Sequence, residues 1–74
     1  MKTVNTCGQR HYSPLIPAMK AICEAAEGEQ LEIIMDDSLA FNDLKEYLSE
    51  HQIGFREIYN GEQLTLQFIP SPRP

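Results

Sequence analysis

Seventy-four residues make a single domain, with 42% apolar side chains for a small core and no low-complexity run that argues for disorder. Eleven acidic against six basic side chains leave a formal net charge of −5, a field that repels phosphate backbones and speaks against direct nucleic-acid binding. No apolar stretch approaches the ~20 residues of a membrane span, and "MKTVNTCGQR" lacks the apolar segment of a secretion signal, so a cytoplasmic protein with no membrane partner is expected.

In chain order, Lys2–Val4 is short and β-prone, predicting a strand near residues 2–5. From Leu15 to Ala26, the apolar positions Leu15, Ala18, Met19, Ile22, Ala25 and Ala26 recur at three and four, which predicts an amphipathic helix over about 14–27. Gly28 sits where that helix should end, since glycine tolerates the left-handed turn of a helix cap. "QLEIIM" predicts a strand near 30–35, with Leu31, Ile33 and Met35 on one face. Asp36, Asp37 and Ser38 then offer three successive N-cap side chains to a second helix over 38–51, its buried stripe Phe41, Leu44 and Leu48. "IGFREIY" (53–59) and the alternating "LTLQF" (within 63–69) are strands joined at Asn60-Gly61, the strongest short-range hairpin signal. Ile22, Leu31, Ile33, Leu44, Leu48, Leu64 and Leu66 are the expected core.

Strand, helix, strand, helix, strand, strand predicts an α/β two-layer sandwich. Right-handed crossovers put both helices on one face of a mixed four-stranded sheet. Residues 1–69 form the domain, and the proline-rich end, residues 70–74, is expected to be a flexible tail. Cys7 and Cys23 are too few for a disulfide framework and read as free thiols.

The densest chemistry is "QRHYSPLIPAMKAIC", Gln9 to Cys23. Ser13 before Pro14 reads as an N-cap followed by proline at the first helical position. Pro17 conflicts with this, because it falls where the first intrahelical N–H is needed. Either that bond is missing or the helix begins nearer Leu15. Both options leave free N–H groups at an electropositive helix end with His11, Tyr12 and Ser13 just outside, a place to hold an anion or activate a thiol.

These residues resemble a family. The chain is similar to the small TusA-like (SirA-like) sulfur carriers, in which glycine, two residues and Cys-Pro-x-Pro open the first helix. Gly8 matches the glycine and Pro14 the second proline; Gly28-Glu29 matches a Gly-Glu pair; Asp36 closes the next strand, and Asp43 falls on the second helix. The resemblance spans nearly the whole chain and implies the same fold, partners such as a cysteine desulfurase or another sulfur-relay component, and no cofactor. It also exposes a departure. His11-Tyr12-Ser13-Pro14 stands in place of Cys-Pro-x-Pro, so a histidine occupies the position of the sulfur-bearing cysteine. Imidazole forms no persulfide.

Cys7 is the remaining thiol on the strand-to-helix loop and the one candidate sulfur carrier. A working Cys7 should have a depressed thiol pKa from the helix end. Cys23, on the helix, reads as a core or boundary residue. Gly8, Arg10, His11, Tyr12, Ser13 and Pro14 are the candidate binding residues. Cys7-x3-His11 with Asp36 or Asp37 supplies too few ligands at an unremarkable spacing to make a metal site, and none is expected. No nucleophile elbow supports a hydrolase built on His11 and Ser13. Pro14-x-x-Pro17 is a helix start before it is a polyproline ligand, His51 suits a helix C-terminus, and Met19 and Met35 read as core. Three functions stay open: a sulfur-relay protein, a non-catalytic module binding a protein through this loop, and a small-anion binder at the helix end.

Overall fold

The computed structural model describes residues 1–8 and 13–70. Its elements are β1 (Lys2–Asn5), α1 (Leu15–Glu24), β2 (Leu31–Met35), α2 (Ser38–Glu50), β3 (Phe55–Asn60) and β4 (Gln63–Phe68). The sheet order is β1-β2-β4-β3. β1 lies parallel to β2, and β4 runs antiparallel to both β2 and β3. The sheet is mixed and both helices contribute to one core, as the pattern predicts.

Alternation builds that core. Leu31, Ile33 and Met35 of β2 stand opposite Phe68, Leu66 and Leu64 of β4 and point to the helices. Ala18 and Ala21 of α1 and Ala40, Phe41, Leu44 and Leu48 of α2 meet them there. Leu31, Ile33, Leu44, Leu48 and Leu66 are fully buried, whereas Ile22 and Leu64 are packed against the core and only partly covered. Cys23 and Ala26 are exposed, contrary to expectation. The buried stripe of α1 turns through Ala21, which rotates Cys23 out to solvent, and the helix ends before Ala26.

Two turns also differ from their sequence reading. Gly28 does not cap α1, which stops at Glu24. It occupies the third position of a turn closed by Glu29 N–H to Ala26 C=O at 3.0 Å, with φ +80°. The β3–β4 hairpin uses Gly61 and Glu62 as its central pair, with Asn60 and Gln63 still paired across the strands. Only Gly61 has positive φ (+63°), the sign that a type II′ turn requires at its first central position.

The end of α2 carries a device the sequence did not signal. Gln52 N–H donates to Ser49 C=O at 3.1 Å and Ile53 N–H to Leu48 C=O at 2.8 Å. This is a Schellman cap, with Ile53 and Leu48 both in the core. Gln52 takes the left-handed position, φ +59°, usually reserved for glycine. His51 is the C-cap residue, its ring 4.2 Å from that of Tyr47. At the chain's end Ile69 is exposed and Pro70 is buried; the rest of the expected tail, residues 71–74, lies outside the described residues.

Candidate functional site

Because β1 and β2 are parallel and each is followed by a helix, the starts of α1 and α2 lie at the same end of the sheet. The β1–α1 loop lies there too. Its first residues are anchored firmly. Thr6 is fully buried, and both its N–H (2.7 Å) and its hydroxyl (2.8 Å) donate to Ile34 C=O. Asn5 Oδ1 accepts from Cys7 N–H at 2.9 Å, and Gly8 N–H donates to Asp36 Oδ2 at 3.3 Å. Gly8 has φ +82°, which a side chain would strain.

Cys7 is half-buried in this corner. Its thiol pKa is raised above the ordinary value, first by burial and then by the negative charge of Asp36. The surroundings favour the protonated thiol, the poorer nucleophile, and do not supply the depressed pKa that a sulfur-carrying Cys7 is expected to have.

The start of α1 answers the proline conflict. The helix begins at Leu15, with Pro14 as its N-cap residue in helical conformation (φ −57°, ψ −18°). Leu15 N–H donates to Ser13 Oγ at 3.2 Å, Ile16 N–H to Ser13 C=O at 3.0 Å, and Ala18 N–H to Pro14 C=O at 3.3 Å. Pro17 falls where an N–H would have no partner, so it costs the helix nothing. The free N–H groups expected at this end are absent from Leu15 to Ala18, and the geometry that would cradle an anion is taken up internally. Pro14 is buried, so what it supplies is the bend; Ser13 is exposed. Arg10, His11 and Tyr12, also candidates, lie outside the described residues, as does the Cys7–His11 pairing.

The three candidate caps of α2 divide the work. Asp37 is the N-cap, its Oδ1 accepting from Leu39 N–H (3.0 Å) and Ala40 N–H (3.2 Å). Asp36 turns to Gly8, and Ser38 begins the helix. Among the described residues no group of three or more His, Cys, Asp or Glu side chains is disposed to hold a metal, and no helix is long and apolar enough to cross a membrane.

Two residues of this end escaped sequence reasoning. Ile16 is 57% exposed and Leu39 76% exposed, one in the first turn of each helix. The signal was present: both are large apolar residues that fall off the buried stripes of their helices. Leu39 stands beside Asp37, and Ile16 adds a second exposed apolar side chain at the same end of the sheet.

The chain matches the family described as Sulfurtransferase TusA over residues 2–69. It belongs to the TusA family. As a TusA-family member it is a protein of the sulfur-relay type, a class that works with protein partners. The fold agrees with the crystal structure of a SirA-like protein from Desulfitobacterium hafniense, at a TM-score of 0.75 and 18% identity, covering 93% of this chain and 96% of that one. Comparison with curated proteins returns no match.

Proposed function

We propose that this TusA-family protein is an accessory of a cytoplasmic sulfur relay that docks a protein partner and carries no sulfur itself. The docking residues are Gly8, Arg10, His11, Tyr12 and Ser13 of the β1–α1 loop, together with exposed Ile16 in the first turn of α1. The partner is a cysteine desulfurase or another relay component. One observation carries the reading: the Cys7 thiol, the one thiol on this loop, is biased toward its protonated form by burial and Asp36. By alignment of motifs, His11 stands where the family's cysteine belongs, and imidazole forms no persulfide. The anion-binding alternative loses its support, since the N–H groups of the first turn of α1 already have partners.

The test is sulfur loading. The chain is incubated with a cysteine desulfurase and cysteine, and its intact mass is measured without reductant. The native protein and Cys7→Ser are expected to gain nothing, whereas His11→Cys with Tyr12→Pro gains one sulfur atom. Loading of the native chain that disappears in Cys7→Ser would overturn the proposal and make Cys7 the carrier.

A further inference from the structure

Both helices pack into one core on one face of the sheet; on the other face, which among the described residues carries no helix, strand register arranges the side chains in rows. One row runs Thr3, Glu32, Gln67, Arg56 across β1, β2, β4 and β3. The next runs Asn5, Ile34, Thr65, Ile58. Glu32 is fixed in place, accepting from Thr3 Oγ1 at 3.0 Å and Gln67 Nε2 at 2.8 Å. Among the described residues the ion pair formed is Lys45–Glu57, on the other face, so Glu32 faces no cation and Arg56 no anion. Ile34 and Ile58 are half-buried and flank Thr65, which they and the strands cover to 7% exposure.

The rows share a symmetry. Their complementary members, Glu32 with Arg56 and Ile34 with Ile58, sit on β2 and β3, the two strands that flank β4. A two-fold axis along β4 exchanges β2 and β3. A second copy laid face to face about that axis therefore sets each Glu32 against the other copy's Arg56 and each Ile34 against the other copy's Ile58, with Thr65 and Gln67 meeting themselves on the axis. Such a self-complementary patch is what an isologous dimer requires.

We propose that the open sheet face is a homodimer interface, closed by reciprocal Glu32–Arg56 pairs around an Ile34–Ile58 centre. The charges of the face balance locally even though the chain as a whole is acidic. Its extent sets the affinity. About this axis β2, β4 and β3 lie opposite their counterparts, and three strands about 4.8 Å apart and five to six residues long at about 3.3 Å each present roughly 270 Å² per copy. That is about a third of the ~800 Å² per partner of a standard interface, so the dimer is weak and concentration-dependent.

Sedimentation equilibrium over about 10 µM to 1 mM, the range of such small interfaces, tests this. The native chain should move from monomer toward dimer. Glu32→Arg and Arg56→Glu should each be monomeric, because each places like charges opposite one another twice. An equimolar mixture of the two should dimerise, since the four pairing positions become complementary again. Circular dichroism verifies folding; should Glu32→Arg unfold, Arg56→Ala leaves the Glu32 hydrogen bonds intact and should weaken association about fivefold, as two exposed ion pairs are lost. A native chain monomeric throughout, a dimer that survives Arg56→Glu, or a mixture that stays monomeric overturns the proposal; a surviving dimer would place the contact at a strand edge or the β1–α1 loop.

Discussion

Gly8 and Asp36, 28 residues apart, close the candidate site: the Gly8 N–H donates to Asp36 Oδ2 at 3.3 Å across the ends of β1 and β2. Burial raises the pKa of the adjacent Cys7 thiol, and the same carboxylate raises it further. One side chain thus holds the loop in place and quiets the nucleophile on it.

The thiol should show this in its kinetics. With Cys23→Ser removing the exposed cysteine, the pH at which alkylation of Cys7 reaches half its limiting rate should lie above that of free cysteine. Asp36→Asn should lower this midpoint, since the thiolate no longer faces a negative charge. It should not fall below the ordinary value, because burial is the larger cause. A midpoint depressed below free cysteine in the native chain would contradict the assignment.

The cap of α2 offers a stabilising change far from the site. Gln52→Gly relieves a non-glycine residue at φ +59°. It should raise stability by about 0.5–1 kcal/mol, the left-handed penalty less the added freedom of the unfolded chain. Gln52→Val, β-branched, should lower it. Urea midpoints of the three proteins decide, and equal midpoints would refute the cap.

Ile33 and Leu48 are fully buried on the two layers of the core. Truncating either to Ala should cost about 2–5 kcal/mol. For a chain of this length the whole stability is on the order of 4–11 kcal/mol. An unchanged denaturant midpoint for Ile33→Ala would contradict the packing.

Glu57 accepts from both the Tyr59 hydroxyl and Lys45 Nζ, the latter at 3.2 Å. The Tyr59 bond, then the Lys45 bond, lower the Glu57 pKa, and the same Tyr59–Glu57 bond raises that of Tyr59. The Tyr59 contribution to stability is present below the ordinary tyrosine pKa and lost as pH rises through the raised one. That of Glu57 is present above the ordinary carboxylate pKa and lost as pH falls through the lowered one. Both groups are exposed, so the effect on stability is small. Tyrosinate absorbance reads it more directly: Glu57→Ala should move the highest-pH tyrosine step down toward the ordinary value of about 10. A step that stays in place would break the link.

Much of this fold is legible from short-range pattern. The strict alternation of Leu64, Leu66 and Phe68, and the spacing of Phe41, Leu44 and Leu48, each identify a buried face without further information. Where many positions are small, the reading slips: alanines at 21 and 26 read alike, yet Ala21 packs into the core while α1 ends at Glu24 and leaves Ala26 exposed. β3 is less legible still. Its helix-facing positions include Glu57, tolerated because an edge strand leaves that side chain reachable by Lys45 and water. The β1–α1 site follows the same division. Its residues were identifiable from motif spacing, but the Cys7 shift is set first by burial and reinforced by Asp36, brought near by parallel pairing of β1 with β2, and no local pattern encodes either.

The strand order carries one more consequence. β2 and β4 are each bonded on both sides, whereas β1 is bonded only to β2 through a four-residue strand. Backbone amides of the inner strands are thus released to solvent by opening of the sheet as a whole, and those of β1 by detachment of a single edge. The loop bearing Cys7 is suspended from that edge. Among the described residues its anchors are the Gly8 bond to Asp36 and the two Thr6 bonds to Ile34, so detachment of β1 from β2 carries Cys7 with it while the inner strands stay paired.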